Sequence, residues 1–125
     1  MSLRDPLAIA RGLGPAKEGL HHWWVLRLSS VALMLLTPWF VWFALSLVGA
    51  DLGTVRATVG DPLQATLLLA FVGTMFWHAQ LGLQVVVEDY VHGWLELALQ
   101  ILIKFTCALA ALASALAIGR LVFSA

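Results

Sequence analysis

The sequence predicts an all-α membrane protein with three transmembrane helices, a cytoplasmic N-terminus and a place in a heteromeric helix bundle. Of its 125 residues, 62% are hydrophobic and 11% are charged, and the mean hydropathy is +0.94. Soluble domains are about half apolar and about a quarter charged, so this composition excludes a soluble globular domain. Because each span of a bilayer uses roughly 20 residues, the length allows about three spans with their loops. No soluble catalytic domain fits beside them.

Charge and cysteine content exclude several other functions. Seven basic and seven acidic side chains cancel, so the chain lacks the basic surface of a nucleic-acid binder, and no nucleic-acid partner is expected. Its one cysteine, Cys107, excludes an internal disulfide and any zinc or iron–sulfur site built from several cysteines of this chain. The sequence also lacks a dinucleotide-binding fingerprint. We therefore expect no catalytic residues in this chain.

Charged residues divide the chain into a polar arm and a membrane domain. Residues 1–20 contain five charged side chains and an apolar run that is too short for a signal peptide. They are predicted to form a retained N-terminal arm. The remainder is predicted to form a three-helix transmembrane anchor domain over 21–125, with spans at about 24–49, 62–90 and 95–120.

Proline and the charged residues set the expected limits of each span. The first is uncharged from Leu28 to Gly49 and contains Pro38, which should kink the helix. Residues 51–61 are predicted to form a short polar loop, after which Asp61 and a proline at the first helical position begin the second span. The third begins near residue 94 and ends at residue 120, and its opening turns place three polar side chains on one face: Glu96, Gln100 and Lys104.

The distribution of basic residues predicts the orientation. Four basic side chains precede or open the first span, whereas the segment between the first two spans holds only Arg56. The positive-inside rule then places the N-terminus in the cytoplasm. The simplest setting is a multi-pass protein in contact with the lipids of a bacterial inner membrane, and a mitochondrial inner membrane is a less favoured alternative.

His78 is the strongest candidate for chemistry. It lies 12 residues before Tyr90, so it is roughly 18 Å deep if Tyr90 marks the membrane surface. A polar side chain at that depth is costly and indicates a function. Three uses stay open: ligand to a metal, hydrogen bond to another helix, or proton relay. Gly82 and Asp89 follow on the same helical face, which presents an imidazole, a gap and a carboxylate in succession.

A haem held by two histidines would need a second histidine at the same depth. The other histidines of this chain flank the spans and lie near the surface: His21, His22 and His92. The second ligand would therefore come from another chain, which predicts that this protein is one component of an assembly.

Other polar residues lie near the expected membrane surface, and each has two possible roles. Asp89 and Tyr90 are either ordinary interface residues or a carboxylate and a phenol beside a lipid-soluble substrate. Arg27 either extends toward the interface or binds an anion such as a haem propionate.

These residues resemble a known family. The pattern His78-x3-Gly82-x6-Asp89-Tyr90 on the second of three helices is similar to the smaller, D-type hydrophobic membrane anchor of succinate dehydrogenase. The pattern His21-x5-Arg27 before the first span is similar to the same family. The larger, cytochrome b-type anchor has an arginine–histidine pair after its haem histidine, and this sequence lacks that pair.

The resemblance implies a four-subunit complex in which a flavoprotein oxidises succinate and an iron–sulfur protein carries the electrons. Two anchors then bind haem b and ubiquinone. By this similarity, His78 would be an axial ligand of the haem iron, and Arg27 and His21 would lie near the propionates. Tyr90 would donate a hydrogen bond to a ubiquinone carbonyl, and Asp89 would support quinone protonation. The cytochrome b-type anchor would share the haem.

Two alternatives stay open at this point. A fumarate reductase anchor would have the same three helices and run quinol oxidation. A small non-redox channel or transporter subunit could use His78 and Asp89 as a proton path, and such a protein would have no haem spectrum.

Overall fold

The computed structural model describes residues 16–124, which form four α-helices joined by short connections. The helices are α1 (Ala16–Ser46), α2 (Leu52–Gly60), α3 (Pro62–Tyr90) and α4 (Trp94–Phe123). Three of them contain a segment that is long and apolar enough to cross a membrane: Leu20–Ser46, Pro62–Tyr90 and Trp94–Phe123. The all-α class and the three predicted spans are confirmed for this part of the chain.

The prediction of a polar loop over residues 51–61 is wrong, because most of this segment is the helix α2. Asp51 caps its N-terminus by accepting a hydrogen bond from the backbone N–H of Thr54 at 3.3 Å and another from the Thr54 hydroxyl. The hydroxyl bond is the main reason that the pKa of Asp51 lies below its usual value. Val59 is buried, and α2 packs on α3 and α4. Capping and packing thus stabilise a helix too short to be stable alone.

The limits of the first and third spans also differ from the prediction. Helix α1 begins at Ala16, so residues 16–20 of the predicted polar arm are helical, and residues 1–15 lie outside the described part. Polar composition does not prevent a helix here, because lysine and glutamate are good helix formers. Helix α1 ends at Ser46, before a turn in which Gly49 has a φ of +78°. Helix α4 continues to Phe123.

Two side-chain contacts show that α1 and α3 are antiparallel. Ser29 meets His78, and Phe40 stacks on Phe71 with ring centroids 4.3 Å apart and planes 9° apart. The residue number rises between the two contacts on α1 and falls on α3. Helix α1 continues without interruption through Pro38, which lies between these contacts.

A short connection turns the chain from α3 into α4. Val91 ends α3 by donating its backbone N–H to the Val87 carbonyl at 2.9 Å. Gly93 then precedes α4 with a φ of +80°, in the left-handed region that favours glycine. At the other end of the molecule, α2 approaches α4 closely, because a Cβ at Gly60 would lie 2.8 Å from the Leu121 carbonyl oxygen.

Most apolar side chains remain exposed, as expected for helices long and apolar enough to lie in a membrane. The buried apolar residues are few: Phe43, Val59, Ala65, Phe71, Leu81, Val87 and Ile118. In residues 20–124, Ser29 is the one polar side chain classed as buried, with 3% of its surface exposed. Burial of a polar group requires hydrogen-bond partners, and those of Ser29 lead to the candidate site.

Candidate functional site

The candidate site is centred on His78 of α3, which α1 holds through Ser29. The Ser29 Oγ lies 2.9 Å from the His78 Nδ1. The same hydroxyl donates a hydrogen bond to the backbone carbonyl of Leu26, one turn earlier in α1, at 2.8 Å. A serine in an apolar helix commonly forms such a bond to its own backbone. The interhelical hydrogen bond expected as one possible use of His78 is therefore present, and it uses only one of the two ring nitrogens.

The second ring nitrogen remains available to a ligand. The Nε2 of His78 makes no hydrogen bond within the described part of the chain, and the side chain is half-buried. Gly82 lies one turn further along α3, is exposed, and has open space within 4 Å of where a Cβ would be. Val85, a further turn on, is also exposed. The helix face beside the imidazole is thus an open surface with a shallow gap.

His78 is the one residue of this surface that could bind a metal through a ring nitrogen left free within the described chain. Residues 16–124 contain no group of three or more histidine, cysteine, aspartate or glutamate side chains that could hold a bare ion. A haem needs only axial ligands from protein, because the macrocycle supplies the others. One histidine nitrogen beside an open, glycine-containing face could supply one such ligand.

Arg27 and His21 lie on α1, on the N-terminal side of Ser29, and both are exposed. Arg27 precedes Ser29 by two residues, so the two are roughly 3 Å apart along the helix axis. Its guanidinium carbon lies 5.2 Å from the centre of the Trp23 ring, in a cation–π contact. His21 precedes Arg27 by six residues, so it lies between one and two helical turns further from Ser29 than Arg27 does. Within the described residues neither side chain is hydrogen-bonded to His78, and Arg27 is the nearer of the two to its level.

Asp89 and Tyr90 end α3 and are both exposed, Tyr90 to 81%. They lie roughly 18 Å along the helix from His78, so the fold does not bring them together with the imidazole. No hydrogen bond from the described part of the chain uses the phenol of Tyr90 or the carboxylate of Asp89. Both polar groups are open to a ligand or to another subunit.

The opposite face of α3 carries a different polar cluster, which we call the glutamine ladder: Gln80, Gln84 and Glu88. Gln80 donates to the Gln84 side chain at 3.1 Å, and Gln84 donates to Glu88 at 3.0 Å. Gln100 of α4 reaches the Gln84 backbone carbonyl at 3.4 Å. Beside the ladder is an open cavity of about 230 Å³, lined by Gly73, Trp77, Gln80, Lys104 and Cys107 among others. The polar stripe predicted on the third span thus contacts α3 through Gln100 and lines this cavity with Lys104.

Sequence reasoning missed Ser29. A signal was present, because Ser29 and Ser30 are the first polar residues of an otherwise uncharged apolar span. The sequence does not specify which of these serines lies at the depth of His78, because that depends on how α1 and α3 pack against each other.

Comparison with known proteins identifies the family. The family model described as succinate dehydrogenase/fumarate reductase transmembrane subunit matches residues 1–118. The chain belongs to this family. Three curated relatives support the assignment, and each has the name succinate dehydrogenase hydrophobic membrane anchor subunit. No solved structure gave a significant match.

The relatives resemble the chain over most of its length. The protein of Rickettsia bellii is 35% identical over 88 residues, which is 70% of each chain. The protein of Rickettsia typhi is 32% identical over 104 residues, 82% of this chain and 83% of its own. The protein of Paracoccus denitrificans is 34% identical over 88 residues, 70% of this chain and 68% of its own. The resemblance read from the sequence is confirmed, and the chain is a multi-pass membrane protein of the succinate dehydrogenase anchor family.

Proposed function

We propose that this chain is the membrane anchor subunit of a succinate dehydrogenase, and that it helps to bind haem b and ubiquinone so that electrons from succinate reduce the quinone. The observation that carries the haem assignment is the environment of His78. One ring nitrogen contacts a buried serine, the other has no partner in the described chain, and the adjacent helix face is open at Gly82. The haem would supply an iron centre that changes oxidation state by one electron.

The residues of this chain would bind and orient that group. His78 would bind the haem iron through Nε2, and Gly82 would leave space for the haem beside the α3 backbone. Arg27 would bind a propionate, because its guanidinium is exposed and close to the level of Ser29. His21, further toward the N-terminus of α1, would assist it. A second histidine for the haem would come from a cytochrome b-type anchor, since the remaining histidines of this chain lie at other depths than His78.

Ubiquinone would bind at the end of α3, roughly 18 Å from His78. The exposed phenol of Tyr90 would donate a hydrogen bond to a quinone carbonyl, and the Asp89 carboxylate would handle a proton during reduction. By the predicted orientation this end of the helix faces the cytoplasm. There it would meet the iron–sulfur subunit, which receives electrons from the flavoprotein. A bacterial inner membrane suits this arrangement and agrees with the bacterial relatives.

The haem assignment is tested by His78→Ala in the complete complex. We expect the low-spin b-type signal to be lost or converted to another spin state, because the iron loses one of two axial ligands. The measurement is a reduced-minus-oxidised absorption spectrum together with the EPR g-values of the oxidised complex.

His92→Ala is the matched control, because His92 is an exposed histidine in the connection between α3 and α4. Its spectrum should equal that of the unmodified complex. A His78→Ala complex with unchanged low-spin g-values would refute haem ligation by this residue.

A further inference from the structure

We propose that Ser29 is a positioning residue that keeps His78 in the tautomer with the proton on Nδ1 and thereby presents an unprotonated Nε2 to the haem iron. The inference rests on the proposed haem ligation by His78 and adds a residue from another helix to it. It is carried by three features of the described chain: the hydrogen bonds of Ser29, its burial, and the geometry of the imidazole ring.

The hydrogen bonds of Ser29 assign the proton. A serine hydroxyl has one hydrogen to donate and can accept from other donors. We assign that hydrogen to the 2.8 Å bond with the backbone carbonyl of Leu26, which can only accept. The Ser29 Oγ must then accept in its 2.9 Å contact with the His78 Nδ1. Therefore Nδ1 carries the proton, and the neutral ring has its lone pair on Nε2.

Burial makes this arrangement persistent. Ser29 is 3% exposed, so water does not compete for its hydroxyl as it would at a surface. An unpaired polar group in this environment is costly, and each of the two groups supplies the partner that the other needs. The ring of His78 is thereby fixed to α1 at one edge. Because Nδ1 and Nε2 lie on different edges of the imidazole, the second nitrogen is directed away from the serine.

The chemical consequence follows from how histidine ligands behave. A ligating histidine usually donates its other N–H to an acceptor, which fixes the tautomer and makes the ligating nitrogen more basic. Loss of such a partner typically lowers metal affinity by about 10- to 100-fold. In the other tautomer Nε2 would carry the proton and have no lone pair for iron.

A neighbouring residue offers a matched control. Ser30 also donates to the Leu26 carbonyl, at 2.9 Å, but it is exposed and does not contact His78. Substitution of Ser30 therefore removes the same kind of hydroxyl and the same backbone bond from the same turn of α1. The two serines differ in burial and in the contact with the imidazole, and only Ser29 has that contact.

The experiment compares Ser29→Ala, Ser29→Thr and Ser30→Ala in the purified complete complex. We measure the EPR g-values of the oxidised haem, and the haem-to-flavin ratio after incubation with excess apomyoglobin as a haem acceptor. Ser29→Ala should shift the g-values and weaken haem retention by about 10- to 100-fold. Ser29→Thr keeps a hydroxyl and should preserve the g-values, and Ser30→Ala should match the unmodified complex in both measurements.

The outcomes separate this inference from the proposed function. If His78→Ala changes the spectrum and Ser29→Ala leaves the g-values unchanged, haem ligation stands and the role of Ser29 is refuted. If Ser29→Ala lowers the yield of all subunits with unchanged g-values, the serine stabilises helix packing only, and the inference is also refuted. If His78→Ala itself leaves the low-spin signal unchanged, the haem assignment fails first.

Discussion

The two faces of α3 use polar residues in different ways. On the face toward α1, His78 makes one hydrogen bond, to Ser29, and keeps a nitrogen without a partner in the described chain. On the face toward α4, the members of the glutamine ladder bond to one another and receive a bond from Gln100. One face has polar capacity available for a ligand, and the other uses its capacity within the chain.

This difference separates polar side chains that bond to one another along the helix from a histidine with one ring nitrogen left without a partner in the described chain. Glutamines spaced four residues apart can satisfy one another along a single helix, so their presence needs no ligand to explain it. A lone imidazole cannot do this, because its two nitrogens point in different directions. The predictions that follow change one face at a time.

The largest effect is expected from a matched pair of glycine substitutions. Gly82 lies on the His78 face and Gly73 lines the cavity beside the ladder, and neither has an atom within 4 Å of an added Cβ. Both changes to leucine raise helix propensity, and at both positions the first side-chain carbon has open space in this chain. Gly82→Leu should obstruct the haem at an overpacking cost of about 1–3 kcal/mol, which is roughly a 5- to 150-fold loss of haem affinity.

Gly73→Leu should leave the haem spectrum and the haem-to-flavin ratio unchanged. Equal loss of haem from the two variants would show that the two faces do not differ in ligand binding. The measurement is the haem content of complexes purified in parallel.

A smaller effect is expected at the end of the helix. Tyr90→Phe deletes one hydroxyl from a residue that is 81% exposed, so the fold should not change. Loss of one neutral hydrogen bond costs about 0.5–1.5 kcal/mol, or up to roughly tenfold in succinate-to-quinone turnover. Succinate oxidation by an artificial acceptor that bypasses the membrane should stay normal. A parallel fall in both activities would assign Tyr90 to assembly instead.

The smallest effect is expected from the ladder. Gln84→Leu removes a side-chain link to Gln80 and another to Glu88. Side-chain pairs four residues apart on one helix contribute about 0.2–0.5 kcal/mol each, so a slight fall in thermal stability of the complex is expected. The haem g-values should not move. A changed spectrum in this variant would mean that the two faces are coupled through α3.

The sequence alone determined the architecture of the membrane part. Three apolar stretches of sufficient length specify three spanning helices, because the hydrophobic thickness of a bilayer sets a requirement that each segment meets by itself. The position of His78 within the second stretch is local information of the same kind. The absence of histidine from the apolar parts of the other spans is also read directly from the sequence.

Tertiary structure decided the features that depend on register between helices. The contact of Ser29 with His78 joins residues 49 positions apart, and it exists because α1 and α3 run antiparallel with these two side chains at one level. A shift of α1 by one turn would instead put Val25 or Leu33 opposite His78, with the same composition and hydropathy but no side chain able to form a hydrogen bond. The helix α2 is also a tertiary result, since the glycines and charges of its sequence favour a loop. Its burial of Val59 and its close approach to Leu121 come from packing on its neighbours. Hydropathy specifies which segments enter the membrane, whereas packing specifies which side chains meet inside it.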